Sequence, residues 1–128
     1  MASKRVRLAL VLLGVFAAAA TTLSVICGYR FGYLPQREFN STLWRTEERS
    51  GARLAMIDSL LRSRRLDKRS PFEVVALLGA PPRTGYFREW DLAYRLGPER
   101  GVFRIDSEWL VIRLGSDGRV SDYRVVRD

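Results

Sequence analysis

The stretch "SPFEVVALLGAPP", residues 70–82, carries the signals of a complete short helix. Ser70 is a suitable N-cap, Pro71 fits the first helical position, and Glu73 completes a Ser-x-x-Glu capping box. Gly79 can adopt the left-handed conformation that ends a helix, and the two prolines that follow prevent its continuation. We therefore predict a short helix between Ser70 and Gly79.

A second helix is predicted just before this stretch, over residues 53–66, "RLAMIDSLLRSRRL". Leu54, Ile57 and Leu61 recur at helical spacing and give the segment a broad apolar face. Alanine, leucine and arginine, which make up much of the segment, all favour helix. We interpret it as the first helix of the folded domain.

After residue 82 the apolar residues stand at every second position instead of at helical spacing, which is typical of strands covered on one side. The first predicted strand places four apolar side chains on one face: Trp90, Leu92, Tyr94 and Leu96. The second strand places three on one face: Leu110, Ile112 and Leu114. Ser-Asp-Gly at residues 116–118 predicts a hairpin turn, and "RVSDYRVVRD" predicts a third strand of undetermined orientation. The order predicts an α+β fold, a two-layer ααβββ domain in which two helices pack on a three-stranded antiparallel meander.

Residues 8–29 contain no charged side chain and are long enough to cross a bilayer, for which about 20 apolar residues suffice. Basic residues stand on both sides of this run, three before it and two after it: Lys4, Arg5, Arg7, Arg30 and Arg37. The excess in front predicts a cytoplasmic N-terminus at residues 1–7 and a transmembrane signal anchor at residues 8–29. A cleaved signal peptide is the alternative, because "AAAAT" offers small residues for cleavage, but the run exceeds the usual secretory apolar region.

Residues 30–52 are interpreted as a juxtamembrane connector, and residues 53–128 as the domain. Three aromatic residues near the end of the apolar run suit a membrane–water interface, or simply stand in a loop: Tyr29, Phe31 and Tyr33. Trp44 is a large apolar side chain in a polar stretch, so we expect it to dock on the domain. Cys27, the only cysteine, follows Ile26, whereas lipid attachment to an exported cysteine requires a small residue there. We expect neither lipidation nor a disulfide.

The residues "RSPFEVVALLGAP" resemble the signature of the SmpA/OmlA (BamE-like) family of small bacterial envelope proteins. The resemblance covers residues 53–126 and includes "RLAMIDSLL", "WDLAYRL" and "WLVIRLGSDGRV". It implies the ααβββ fold and a small, non-catalytic envelope module. Two positions depart from the family pattern: Lys68 stands where a glycine is usual, and "LSVIC" is not a lipobox. The resemblance therefore does not imply membership of the outer-membrane barrel-assembly machinery.

The residue types available for chemistry are few. The chain has no histidine, so it lacks the commonest general base and metal ligand. Asp106 and Glu108 come nearest to a carboxylate pair, and we interpret them as the solvated end of a strand. Asp58, in the middle of a predicted helix, is interpreted as an exposed or salt-bridged acid. We expect no catalytic residue, no cofactor and no metal, and predict that the protein is not an enzyme.

Two stretches are candidate contact surfaces. Residues 62–69, "RSRRLDKR", hold five basic residues that we assign as candidate contacts to an anionic lipid surface: Arg62, Arg64, Arg65, Lys68 and Arg69. The alternative is a solvated helix end whose arginines complement the helix dipole; no nucleic-acid partner is expected for an exported domain. In "YFREW", residues 86–90, Phe87 and Arg88 are candidate contacts to a protein partner, while Trp90 is expected in the core.

Together these features predict a membrane-anchored, non-catalytic interaction or scaffold module of the bacterial cell envelope. Its expected partners are the membrane, through the single N-terminal helix, and an envelope protein. The expected location is the inner membrane, with the C-terminal domain in the periplasm and a link to outer-membrane or envelope assembly. The alternative is an exported soluble binding or inhibitor-type protein released by signal-peptide cleavage, and a periplasmic enzyme is the third class considered.

Overall fold

The computed structural model describes residues 3–30, 35–49, 51–101 and 103–128, in two compact units, Met1–Tyr33 and Leu34–Asp128. The first unit contains one helix, α1 (Lys4–Arg30). The second contains three helices followed by three strands: α2 (Ser41–Thr46), α3 (Ala52–Ser63), α4 (Pro71–Leu78), β1 (Leu92–Pro98), β2 (Ser107–Leu114) and β3 (Val120–Arg127). The predicted α+β layout is confirmed.

Helix α1 is long and apolar enough to cross a membrane or to act as a signal sequence. Its stretch Lys4–Cys27 covers 24 residues with a mean hydropathy of 2.3. At 1.5 Å per residue such a helix measures about 36 Å, which exceeds the roughly 30 Å of a bilayer core. The side chain of Tyr29, and all of Phe31 and Tyr33, lie outside the described residues.

The three strands form one antiparallel sheet in the order β1-β2-β3, as the predicted meander requires. Leu92 pairs with Ile112, and Ile112 pairs with Tyr123, so the sheet is continuous across its width. A bulge in β1 falls between Arg95 and Gly97. The predicted Asp-Gly turn joins β2 to β3, with Gly118 at a φ of 71° that glycine adopts without steric cost.

Helix α4 has the predicted capping box at its start but not the predicted left-handed helical residue at its end. The Ser70 hydroxyl accepts a hydrogen bond from the Glu73 N–H at 3.2 Å, and the Glu73 carboxylate accepts one from the Ser70 N–H at 2.9 Å. Gly79 ends the helix at a φ of 85°, but its ψ of 176° makes it extended rather than left-handed helical. Its carbonyl accepts a hydrogen bond from the Tyr94 hydroxyl at 2.9 Å, which fastens the end of α4 to β1.

The folded unit contains one helix more than the sequence predicted. Helix α2 lies in the stretch interpreted as a connector, and the Asn40 side chain caps it by accepting a hydrogen bond from the Leu43 N–H. Trp44 is fully buried, so its expected docking on the domain is confirmed. Helix α3 ends at Ser63, earlier than predicted, because Arg64 turns to a left-handed φ of 51°. The predicted arrangement of two helices on the sheet therefore lacked α2.

The main core lies between the three helices and one face of the sheet, which we call the inner face. Each helix contributes to it, with Trp44 from α2, Ile57 from α3 and Leu78 from α4. The inner face of the sheet supplies Tyr94, Leu96, Leu110, Ile112 and, partly buried, Leu92 and Leu114. The predicted apolar faces of the first two strands are thus confirmed from residue 92 onward.

A second, smaller cluster lies on the opposite face of the sheet, which we call the outer face. It consists of Trp90, Ala93, Trp109 and Val111. Trp90 is buried as expected, but the prediction that it shares a face with Leu92 and Tyr94 is wrong. Strand β1 begins only at Leu92, so the alternation of strand side chains does not extend back to residue 90.

Candidate functional site

The outer face carries an aromatic cluster covered by the segment that precedes β1. The Phe87 ring packs on the Trp109 ring with centroids 5.7 Å apart, and the Tyr86 ring lies 6.4 Å from Trp109. Tyr86 is 61% exposed, whereas Trp109 is buried. The C-terminal Asp128 carboxylate accepts hydrogen bonds from the Trp109 indole N–H at 3.0 Å and the Ser107 N–H at 2.7 Å. These contacts hold the indole of Trp109 in one orientation beneath the exposed rings.

Two arginines from neighbouring strands lie over the Trp90 ring. The guanidinium carbon of Arg113 is 4.4 Å from the ring centroid, and that of Arg124 is 4.8 Å from it. Both arginines are exposed to solvent. A cation over an indole face contributes roughly 0.5–1 kcal/mol at exposed sites. The outer face therefore combines aromatic rings with guanidinium groups whose polar edges remain accessible.

The two candidate partner-contact residues lie in this covering segment, in different environments. Phe87 is half-buried against Trp109 and adopts a left-handed φ of 58°. A turn fixes that conformation, since the Trp90 N–H donates to the Phe87 carbonyl at 2.9 Å. Arg88, at the tip of the turn, is exposed. Sequence reasoning found this segment, Tyr86 included, but it missed the two arginines over Trp90, which only strand pairing brings close.

The five basic residues assigned to lipid contact are all exposed, but most have partners within the fold. Arg64 and Arg69 form ion pairs of 2.8 Å with Asp67 and Glu73, respectively. The Arg65 guanidinium lies 5.6 Å from the centroid of the Phe39 ring. Arg62 lies in the last turn of α3, where it can complement the helix dipole, and Lys68 adopts a left-handed φ of 57°. The segment also serves structure, because Leu66 in its middle is fully buried.

Asp67 joins this basic segment to the third strand. Its carboxylate accepts a hydrogen bond from the Tyr123 hydroxyl at 2.6 Å and one from the Arg64 guanidinium at 2.8 Å. The Tyr123 hydroxyl is the main cause that holds the pKa of Asp67 below its ordinary value. Desolvation and the hydrogen bond to Asp67 raise the pKa of Tyr123 to about 12. Both shifts follow from a structural contact between two distant parts of the chain.

The carboxylates singled out in the sequence do not form a pair. Asp106 is exposed, whereas the Glu108 side chain is only 3% exposed, so its interpretation as a solvated group is wrong. Arg100 explains the difference, because its backbone N–H and its guanidinium Nε and Nη2 each lie 2.9 Å from a Glu108 carboxylate oxygen. The same guanidinium reaches Asp58 at 3.3 Å, which confirms Asp58 as a salt-bridged acid. The network fastens the β1–β2 loop to α3.

A buried arginine of α3 connects this helix to α2 and to the sheet. Arg53 donates to the Trp44 carbonyl at 2.9 Å and to the Arg95 carbonyl at 3.0 Å. Desolvation lowers the pKa of its guanidinium, and desolvation raises the pKa of the nearby Tyr94 to about 12. The Arg53 guanidinium and the Tyr94 hydroxyl both donate to backbone carbonyls, so both have a structural role. Among the described residues, no three or more Cys, Asp or Glu side chains are grouped so as to hold a metal ion.

Three large apolar side chains of the folded unit are strongly exposed. Phe72, Phe103 and Ile105 each leave 83% of their surface accessible. Phe72 lies in the first turn of α4, and the other two lie in the loop between β1 and β2. Sequence reasoning did not single out this loop.

No protein-family model matches the chain, and no curated protein or solved structure matches it either. The likeness to the SmpA/OmlA family therefore stays a prediction that rests on the residues quoted above.

Proposed function

We propose that the protein is a membrane-anchored, non-catalytic module of the bacterial cell envelope that binds an envelope protein through the outer face of its sheet. One observation carries the proposal. The outer face holds an aromatic cluster on which three exposed side chains lie. They are one tyrosine, Tyr86, and two arginines, Arg113 and Arg124. Tyrosine, tryptophan and arginine are the residues most enriched at protein–protein interfaces and among their energetic hot spots.

The geometry of the covering segment favours recognition of a protein. The exposed Tyr86 and the half-buried Phe87 stand beside the exposed Arg88, so a partner can meet apolar and charged surface together. Trp109 and Trp90 beneath them are already held by packing and by Asp128 and the two arginines. A preorganised aromatic surface loses little conformational entropy when a partner binds.

The membrane part of the proposal rests on α1 and on the basic residues in front of it. The helix has the length and hydropathy of a membrane span, and the excess of positive charge at its N-terminal side favours a cytoplasmic N-terminus. The folded unit then lies in the periplasm, anchored to the inner membrane. N-terminal sequencing of the mature protein tests the anchor, because a start beyond Ala20 means that the protein is released as a soluble binding protein.

Site-specific photocrosslinking in native membranes tests the partner surface. A photoreactive phenylalanine analogue at Tyr86 should form adducts with an envelope protein, and the double variant Phe87→Ala/Arg88→Ala should weaken them. The same analogue at Phe72, an aromatic residue of even greater exposure on α4, is the matched control. Equal adducts at both positions, or adducts unaffected by the double variant, would refute the outer face as the binding surface. Barrel-assembly proteins among the adducts would favour the family relationship.

A further inference from the structure

The loop between β1 and β2 carries apolar side chains that the fold leaves uncovered. Phe103 and Ile105 are two residues apart and each is 83% exposed. Arg104, also exposed, stands between them. A loop that combines apolar side chains with a basic residue suits contact with a bilayer surface. At such a surface apolar groups enter the acyl boundary and cations meet anionic headgroups.

The base of this loop is fastened to the sheet by a backbone hydrogen bond and two ion pairs. The Glu99 N–H donates to the Asp106 carbonyl at 2.9 Å and closes the hairpin. Glu99 also pairs with Arg127 on β3, and Arg100 pairs with the buried Glu108. Phe103 and Ile105 therefore stand on a loop whose two ends are held by the fold.

The loop base and the N-terminal end of the folded unit meet at one carboxylate. Asp58 accepts a hydrogen bond from the Gln36 side chain at 2.8 Å and pairs with Arg100 at 3.3 Å. The segment after Gln36 is fastened along α3, since the Arg37 N–H donates to the Ala55 carbonyl at 2.8 Å. Gln36, near the start of the folded unit, and Arg100, at the base of the loop, therefore share one carboxylate.

The tether between α1 and the folded unit is short in sequence. The sequence has four residues between Arg30, the last residue of α1, and Pro35. Five steps of fully extended chain span at most about 18 Å. If α1 crosses a bilayer, Pro35 is therefore tethered within about 18 Å of the residue at which the helix ends.

We infer that the β1–β2 loop dips Phe103 and Ile105 into the bilayer from which the chain emerges, as a second membrane contact beside α1. This inference rests on the proposed membrane anchor. It does not depend on the outer face or on its partner.

Fluorescent labelling of the full-length chain in vesicles tests the loop. In a Cys27→Ser background, Ile105→Cys is labelled with an environment-sensitive dye, and Phe72→Cys, which starts from the same exposure, is the matched control. The vesicles contain phosphatidylethanolamine and phosphatidylglycerol. We expect a blue-shifted emission at position 105, quenching by spin-labelled lipid and loss of quenching by aqueous iodide. Position 72 should show the reverse. Unchanged tryptophan emission shows that each variant is folded.

The outcomes separate the loop from the anchor. A label on the native Cys27 reports whether α1 is in the lipid, independently of the loop. If Cys27 is quenched by lipid while position 105 behaves like position 72, the loop inference is wrong and the anchor stands. If Cys27 is quenched only by iodide, both are wrong. A blue shift at position 105 in native membranes but not in pure lipid vesicles would overturn the bilayer as the occupant and indicate a protein instead.

Discussion

Replacing Arg100 with alanine removes the guanidinium that pairs with a buried carboxylate. The Glu108 side chain is 3% exposed and receives two guanidinium contacts of 2.9 Å from Arg100, in addition to a backbone N–H. The Arg100 side chain itself is 35% exposed and also reaches Asp58. The variant Arg100→Ala therefore leaves Glu108 buried with only one of its three donors.

The expected cost is large for a single substitution. Removing one partner of a buried ion pair costs about 3–5 kcal/mol, because the remaining charge is left uncompensated. Water can reach the exposed third of the Arg100 site and screen part of this loss, so we expect about 2–4 kcal/mol for Arg100→Ala. Exchanging both partners for leucine removes the buried charge as well, and the double variant Arg100→Leu/Glu108→Leu should recover most of the lost stability.

Urea unfolding of the full-length protein in detergent measures these differences. Tryptophan fluorescence reports on the folded unit alone, because all three tryptophans, Trp44, Trp90 and Trp109, lie within it. Arg64→Ala, which breaks the exposed pair with Asp67, is the matched control and should cost less than about 1 kcal/mol. The reasoning fails if Arg100→Ala costs no more than Arg64→Ala, or if the double leucine variant is as unstable as the single alanine variant.

Three further predictions use the same unfolding assay. Ser70→Ala removes the N-cap of α4 and should cost about 1 kcal/mol, and an unchanged midpoint would mean that packing alone holds the helix. Gly97→Ala should cost about 1–3 kcal/mol, because Gly97 has a φ of 146° and an added Cβ would lie 2.9 Å from Leu54 Cδ1; a smaller loss would show that the bulge can relax. Tyr123→Phe removes the hydroxyl that lowers the pKa of Asp67. A carboxyl whose pKa is lowered by folding stabilises the fold at pH values above its unfolded-state pKa of about 3.9, and this contribution is lost as the pH falls through the folded-state pKa. The difference in stability between wild type and Tyr123→Phe should therefore shrink in acid. A difference that stays constant from neutral pH to below the ordinary carboxyl range would contradict this.

Helix α4 and strand β2 were predictable because their signals are local. The capping residues of α4 lie within one turn of the bonds they make, so Ser70 and Glu73 identify the start of the helix without knowledge of the fold. In β2, alternation follows from the geometry of a strand, and Leu110 and Ile112 face the core as the pattern requires. Local chemistry of this kind can be read from the sequence directly.

Helix α2 and the environment of Glu108 were not predictable in this way. Six residues form too short a helix to be stable alone, so α2 depends on the docking of Trp44 against Phe39 and Arg53. Glu108 and Asp106 look alike in sequence, and only the approach of Arg100 makes burial of Glu108 tolerable. Where tertiary contacts decide the outcome, residue type and spacing do not suffice.

The candidate site was found in part for the same reason. Aromatic residues before β1 attracted attention to Phe87 and Arg88, whereas Arg113 and Arg124 meet Trp90 through strand pairing between distant positions. The basic segment, by contrast, was conspicuous in sequence, yet Arg64 and Arg69 are engaged by nearby acids. The number of basic residues in this segment therefore overestimates how many of them are available for a lipid surface.

The backbone of Phe87 provides an argument for recognition that the contacts alone do not. A non-glycine residue at a left-handed φ of 58° is strained, at a cost of order 1–3 kcal/mol, and the packing of its ring on Trp109 must offset that strain. Glycine would adopt the same conformation without steric cost. The ring at this position holds Tyr86 and Arg88 on either side of an ordered turn, above an aromatic base that is already fixed. Strain at a half-buried position, offset by packing that orders its neighbours, is consistent with the binding surface proposed above.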